Sequence, residues 1–180
     1  MSWTWLAGIF LATMFFWGVG AYNRLMRLRN AIGEAFHLLD RHLAERGEVC
    51  AKIMEALRPL APEEAASFDA LDKAQADAVT ASQAARARPY EGEPVGLLAV
   101  NSALHAAALA RIMSMLDHHP EMRDQAGVDA LVDELKLIER QRAFARQLFN
   151  QAVSQYNEAK HQFPTRVLAG LYGFDEARSL

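Results

Sequence analysis

The chain has 180 residues, of which 52% are hydrophobic, and its formal net charge is −3 with acidic and basic side chains intermixed. This length allows one domain and a membrane span, the mixed charge leaves no basic surface for nucleic acid, and a single cysteine excludes an internal disulfide. That cysteine, Cys50, lies at a helical core spacing and is predicted to be a buried apolar residue.

The N-terminal segment is long and apolar. Residues 1–23 carry no charged side chain, and the 20 residues from Trp3 to Tyr22 span the roughly 30 Å hydrocarbon core of a bilayer at about 1.5 Å each. Trp3 and Trp5 near one end, and Trp17 and Tyr22 near the other, are typical of interfacial aromatic belts. No Lys or Arg precedes the run, which favours a retained transmembrane helix over a cleaved signal peptide or a buried helix.

Three arginines, Arg24, Arg27 and Arg29, follow the apolar run. The α-amine is the only charge on the other side of the run. The positive-inside rule therefore predicts an N-terminus outside the cell and residues 24–180 in the cytoplasm.

The helical pattern continues past the arginines. Apolar residues recur at spacings of three, four or seven from Leu28 to Leu57, with Arg46 as the one interruption, and Pro59 ends the helix. We therefore predict that the transmembrane helix and the first bundle helix form one rod. The predicted boundaries are 1–23 for the transmembrane helix, 24–163 for a four-helix bundle with helices at about 24–58, 63–87, 94–117 and 127–163, and 164–180 for a membrane-proximal tail.

The fourth predicted helix carries a heptad seam, in which the spacings alternate between four and three. Its only charged member is Arg142, whose stem is predicted to pack while its head reaches an acid such as Glu139. The alternative is a polar residue that fixes helix register or partner choice. The seam consists of Leu131, Leu135, Ile138, Arg142, Ala145, Phe149, Ala152, Tyr156, Ala159 and Phe163. With short connections and no strand pattern, the fold is predicted to be all-α, an antiparallel up-and-down four-helix bundle.

Apolar residues also occur in the tail. Leu168, Tyr172 and Phe174 lie close in sequence to Arg166, and an antiparallel bundle returns them to the membrane end. Two arrangements fit: packing against the base of the first helix, or insertion into the headgroup boundary.

Two Glu-x-x-His motifs, Glu34 to His37 and Glu158 to His161, suggest enzymatic chemistry. Such motifs help to hold the di-metal centres of ferritin-like bundles. At about 100° per residue, however, both motifs point away from the apolar stripes of their helices. We therefore predict no metal site, no cofactor and no catalytic residue, and the sequence contains no phosphate-binding loop or recognisable arrangement of nucleophile and base for a small-molecule substrate.

Several ordered segments resemble the LemA family of bacterial membrane-anchored helical proteins. YNRLMRLRNAIGEAFHLLD, residues 22–40, is similar to the family's first helix, and HHPEMRDQAGVDAL, residues 118–131, is similar to its Tyr-Pro-x-Leu-Lys turn. The C-terminal part matches four family landmarks in order, with Phe149-Asn150 in place of an earlier Tyr-Asn pair. These landmarks are Ala145-Arg146, Tyr156-Asn157, Phe163-Pro164 and Gly173-Phe174.

The resemblance is that of a divergent member. RGEVCAKIME, residues 46–55, lacks the family's Ile-Pro-Asn-Leu-Val segment, and LLDRHL lacks its Asp-Val-Gln. The resemblance implies an N-terminal span, a cytoplasmic four-helix bundle and no catalytic residues. One branch of the family serves in forming bacterial organelle membranes, which implies a role in membrane organisation.

Together these features predict a non-enzymatic, single-pass protein of the bacterial inner membrane. Its expected partners are the lipid bilayer and a protein, either a second copy or another chain, and not nucleic acid. We expect a scaffold or assembly factor; the alternative is an adaptor or signalling subunit that binds one membrane-protein partner.

Overall fold

The computed structural model describes residues 3–124, 127–163 and 165–180, and all regular structure within these ranges is helical. The all-α prediction is therefore confirmed. The helices are α1 Trp3–Leu57, α2 Ala65–Ala87, α3 Gly92–His118, α4 Pro120–Arg123, α5 Val128–His161 and α6 Thr165–Leu171, with a 3-10 turn at Pro62–Glu64 before α2. Met1, Ser2 and Pro164, which belong to the predicted span and tail, lie outside the described residues.

The observed helix bounds differ from the predicted ones mainly at the C-terminal end. α5 ends at His161, and Gln162 already has an extended backbone with φ −67° and ψ 130°. Residues that precede a proline disfavour the α conformation, so the sequence before Pro164 ends the helix early. Phe163 is consequently outside α5, and the short helices α4 and α6 are additions that the periodicity does not predict.

Contacts between α1 and α5 occur in reverse order along the two helices. Arg24 of α1 donates a 3.2 Å hydrogen bond to Gln162, just after α5. Further along α1, the rings of Phe36 and Phe149 lie 5.8 Å apart. The residues that follow Phe36 on α1 therefore meet residues that precede Phe149 on α5. α2 packs mainly against α3, to which it is joined by a short turn.

The core is divided into two apolar clusters. The proximal cluster, at the end of the bundle where α6 lies, contains Leu25, Ile32, Phe36, Ala81, Ala85, Val95, Leu98, Phe149, Val153, Tyr156, Ala159, Ala169, Phe174 and Ala177. The distal cluster contains Val49, Cys50, Ile53, Met54, Leu57, Ala61, Phe68, Leu71, Leu109, Ile112, Leu116, Met122, Val128, Val132, Leu135 and Ile138. Each large side chain buried in this way contributes about 1.5–3 kcal/mol. Cys50 is fully buried in the distal cluster, where burial raises the pKa of its thiol to about 11.

Candidate functional site

The N-terminal part of α1 exposes apolar side chains. Trp3, Trp5 and Tyr22 are exposed and Trp17 is half-buried. Both α1 and α3 are long and apolar enough for a membrane span by length and composition. In the apolar stretch of α1, however, 6% of the residues are buried, against 33% in that of α3. Because α3 turns its buried residues toward the core, the α1 segment is the better candidate for a membrane anchor.

The three predicted arginines differ in their surroundings. Arg27 is exposed, and Arg24 is exposed while it donates to Gln162. Arg29 is half-buried, with its guanidinium carbon 3.4 Å from the centroid of the Tyr90 ring. This cation–π contact ties Arg29 to the turn between α2 and α3, so only Arg24 and Arg27 present their charge outward.

Residues of the tail pack against the base of the apolar segment. Tyr22 contacts Tyr172 and Phe174, with ring centroids 5.3 Å and 5.8 Å apart. Phe174 is buried, Leu168 is half-buried and Tyr172 is exposed. Gly173 permits this path, because it ends α6 with a left-handed φ of 67° that a larger residue adopts only under strain. Of the two arrangements considered for the tail, Phe174 packs against the base of the first helix, while Tyr172 remains largely at the surface.

Two asparagines of α5 hold the extended end of the tail. Asn157 accepts a hydrogen bond from the Ala177 N–H and donates one to the Ala177 carbonyl, at 3.0 Å and 2.8 Å. Asn150 binds Leu180 in the same two-way manner, at 2.8 Å and 2.7 Å. One heptad of helix and three extended residues both span about 10 Å, so the two pairs stay in register. The Tyr156 hydroxyl adds a 3.0 Å hydrogen bond to the Asp175 carbonyl.

The predicted seam on α5 lies in the core for most of its length. Leu135, Ile138, Phe149 and Tyr156 are buried, and Leu131 is half-buried. Phe163 is the correction to this set. Its side chain is 85% exposed, because α5 ends before it and it leaves the face that packs on α1.

A polar layer separates the two apolar clusters. Arg46 of α1 is 1% exposed, and its Nη1 lies 3.5 Å from Glu139 Oε1 on α5. Arg142 donates from Nε and Nη2 to Glu139 Oε2, at 3.0 Å and 2.7 Å. The predicted pairing of Arg142 with Glu139 is therefore present, and the same carboxylate also faces Arg46. His105 of α3 is fully buried beside these charges.

The polar layer leaves donors and acceptors without partners. Within the described ranges, neither ring nitrogen of His105 has a hydrogen-bond partner, and neither do Nε and Nη1 of Arg46. Burial, followed by the charge of Arg46, lowers the pKa of His105 from 6.5 to about 4. Burial and then Arg142 also lower the pKa of Arg46. His105 is therefore neutral at physiological pH, which avoids a third positive charge beside the two arginines.

A buried acid lies between α1 and α2. Asp40 accepts a short hydrogen bond from Ser82 and pairs with Arg86, whose Nη2 lies 2.6 Å from Asp40 Oδ2. A cavity of about 70 Å³ adjoins this group and reaches Arg46 and Gln75. Polar contacts thus connect α1 to both α2 and α5.

The residues of the rejected di-metal motifs lie on the surface. Glu34, His37 and Glu158 are exposed, and His161 binds Glu176 of the tail at 2.6 Å. Across residues 3–124, 127–163 and 165–180, no group of three or more His, Cys, Asp or Glu side chains is placed to hold a metal ion.

Sequence reasoning missed the polar layer as a unit. Arg46 occupies a position in an apolar stripe, three residues after one apolar residue and four before the next. This spacing is the sequence signal for a buried charge. The residues that share the layer, His105 and Glu139, come from distant helices and have no common motif. Asp40 and Ser82 carried no signal at all.

The comparisons with known proteins identify the family. The sequence profile of the LemA family matches residues 35–180, which is most of the chain. The chain belongs to the LemA family. No curated protein matches the sequence. The LemA match begins inside α1, so it covers the polar layer and the tail but not the apolar N-terminal segment.

The structure gives the LemA landmarks a physical meaning. In the pairs Phe149-Asn150 and Tyr156-Asn157, the aromatic ring fills the proximal cluster and the amide holds the tail. In Gly173-Phe174, the glycine turns the chain and the phenylalanine returns to the core. The resemblance seen in the sequence is thus confirmed as family membership, and two of its landmarks, together with the Phe149-Asn150 pair, fix the tail.

Proposed function

We propose that this LemA protein is a non-enzymatic scaffold or assembly factor, anchored by a single span in the bacterial inner membrane. The observation that carries the proposal is the exposed apolar surface of residues 3–22, which is continuous with a polar bundle. Removing this surface from water is worth about 25 cal/mol per Å², and a bilayer offers that burial without any specific partner. Arg24 and Arg27 at its end favour a cytoplasmic bundle and an external N-terminus.

The soluble part is proposed to be an antiparallel, up-and-down four-helix bundle made of α1, α2, α3 and α5. The reversed order of contacts between α1 and α5 and the short turn between α2 and α3 support this topology. A non-enzymatic role is supported by the burial of Arg46 and His105, which offers neither group to a dissolved substrate.

Self-association is supported by an apolar stripe on α3. Leu97, Val100 and Leu104 occupy one helical face at spacings of three and four, and all three are exposed. Such a stripe on the side of a bundle is suited to burial against a second copy.

Fusion of a reporter after Leu180 and size analysis in mild detergent test these points. We expect a cytoplasmic reporter signal and a homo-oligomer that Leu104→Glu dissociates. Leu137→Glu is the matched control, because Leu137 is an exposed leucine on α5, outside the stripe. An extracytoplasmic reporter would overturn the anchor orientation, and a wild-type monomer would overturn the scaffold.

An adaptor is the second candidate function, favoured by a groove between α3 and α5. This groove has a volume of about 760 Å³ and an apolar floor that includes Leu109, Met113 and Leu135. An amphipathic helix of another protein fits a groove of this kind. A monomer that co-purifies with one stoichiometric protein, and loses it in Met113→Glu, would establish this alternative.

A further inference from the structure

We propose that α6, together with Phe163, forms a second lipid-binding surface that lies in the cytoplasmic leaflet beside α1. This inference rests on the proposed membrane span of α1. It assigns Phe163 and residues 165–172 to the membrane, whereas a cytoplasmic bundle alone would leave them in water.

The first observation is the position of α6 along the axis of α1. Leu168 Cδ1 lies 3.8 Å from the position that a Cβ atom would occupy on Gly18. Gly18 precedes Arg24 by six residues, or about 9 Å along a helix at 1.5 Å per residue. If the span ends near Tyr22, then Leu168 lies below the headgroup level, at the depth that interfacial helices occupy.

The surface chemistry of this segment is the second observation. Apart from Arg166, which is exposed and basic, its exposed large side chains are apolar or aromatic. Apolar side chains beside a basic residue suit the boundary between acyl chains and anionic headgroups. Asp175 and Glu176 follow α6 after the turn at Gly173, where Glu176 is bound to His161. The exposed apolar residues are Phe163, Val167, Leu171 and Tyr172.

An apolar cleft between α1 and α6 is the third observation. It measures about 450 Å³ and is open to the surface that would face lipid. The glycine in its wall and the side chains around it give it an apolar character suited to the acyl chain of a membrane phospholipid. The lining residues are Met14, Phe15, Gly18, Val19, Tyr22, Leu168 and Tyr172.

The backbone of α6 is compatible with this location. A segment at the edge of the hydrocarbon must satisfy its own polar groups. The Arg166 N–H donates to the Gln162 carbonyl at 3.0 Å, and the Tyr172 N–H to the Leu168 carbonyl at 3.0 Å. The Phe174 N–H closes the end of the helix by donating to the Ala169 carbonyl at 3.0 Å. The chain then leaves this level along α5, held by Asn157 and Asn150.

Nitroxide labels provide the test, in full-length protein reconstituted into vesicles of phosphatidylethanolamine and phosphatidylglycerol. One label is placed at Leu171→Cys, whose native side chain is 76% exposed. Phe16→Cys reports the proposed span, and Phe144→Cys reports the exposed bundle surface in water. All three variants carry Cys50→Ala, so that each protein has one thiol. The measurement is the ratio of collision rates with oxygen, which enters lipid, and with a water-soluble nickel chelate, which does not.

We expect the oxygen-to-nickel ratio at Leu171 to be severalfold higher than at Phe144 and close to that at Phe16. A water-like ratio at Leu171 with a lipid-like ratio at Phe16 would overturn this inference and leave the membrane anchor standing. A water-like ratio at Phe16 would overturn both. Low collision rates with both reagents at Leu171 would mean that protein, such as a second copy, covers α6, and would also overturn the inference.

Discussion

The apolar segment of α1 and the polar layer depart from the usual arrangement of a soluble protein in opposite directions. In the first, tryptophans and phenylalanines lie outside; in the second, two arginines, a histidine and a glutamate lie inside or at the edge of the core. Each departure is stable only if its surroundings supply what it lacks, which is burial away from water for the apolar side chains and polar or charged partners for the buried polar groups. For the apolar segment the proposed bilayer would supply this burial, and for the polar layer the charges on neighbouring helices supply the partners.

The two regions also differ in how specific their requirements are. A bilayer accepts any sufficiently apolar surface, so many substitutions at residues 3–22 should leave the proposed anchor working. The buried Arg46 needs an acid at one place, and its nearest one is Glu139 at 3.5 Å. Tolerance in the first region and intolerance in the second is therefore the expected pattern of mutational effects.

The largest expected effect comes from a charge placed in the apolar segment. Phe10→Arg puts an arginine near the middle of the proposed span, where it costs about 3–4 kcal/mol of insertion free energy. We expect a large loss of protein from membranes washed with alkaline carbonate. Phe144→Arg is the matched control, because the two phenylalanines are similarly exposed, at 64% and 59%. Equal retention of both variants would show that α1 does not need lipid.

The pH dependence of stability should come next in size. Because the folded His105 has a pKa of about 4 against an ordinary 6.5, the unfolded chain binds a proton that the folded chain excludes between these values. The contribution of His105 to the free energy of unfolding should be constant above pH 6.5. It should fall by about 3 kcal/mol as the pH falls to 4. The charged groups that act on His105 are Arg46, Glu139 and Arg142. Chemical denaturation of wild type and His105→Gln across this pH range measures the difference, and parallel curves would contradict the prediction.

The sequence predicted the apolar segment and the helices because their signals are local. The signal for a membrane span is a continuous run of apolar residues, and the helical period repeats within each element. Leu135 and Phe149 could be placed in the core in this way. Phe163 could not, because the periodicity of four and three continues past the point where the backbone leaves the helix.

The polar layer could not be assembled from the sequence, for the opposite reason. Its members are single residues on separate helices, and the pairing of Arg46 with Glu139 exists only after those helices pack. The tail is an intermediate case. The Tyr156-Asn157 pair was one of the landmarks that resemble the family, but the use of its amide to bind Ala177 required the three-dimensional path of the tail.

Removal of the shared carboxylate should have a smaller effect than acidification. Glu139→Ala leaves the buried Arg46 without an acid, and we expect a loss of about 2 kcal/mol, since Glu139 is 32% exposed on its side chain and the pair is only partly shielded from water. Chemical denaturation in detergent measures it. Asp133→Ala breaks an exposed pair with Lys136 on the same helix and should cost less than about 0.5 kcal/mol.

The double variant with Arg46→Leu and Glu139→Leu tests whether the fold needs this charged pair at all, or only needs the charge of Arg46 to be paired. An apolar pair of similar volume removes the unpaired charge, so we expect the double variant to be more stable than Glu139→Ala. A double variant that is less stable than Glu139→Ala would mean that the layer contributes net stability, beyond the avoidance of an unpaired arginine.

The smallest expected effect compares two glycines of α1. Alanine within a helix is favoured over glycine by about 0.5–1 kcal/mol, and a Cβ atom at Gly33 would meet nothing within 4 Å, so Gly33→Ala should be stabilising by that amount. A Cβ at Gly47 would collide with the Gln75 amide beside the polar layer, so the same gain should be lost there. In a Gln75→Ala background the collision is absent, and Gly47→Ala should recover the gain that Gly33→Ala shows. If Gly47→Ala instead stabilises the wild-type protein as much as Gly33→Ala does, Gln75 moves aside freely and the polar layer is less closely packed than the apolar clusters that flank it.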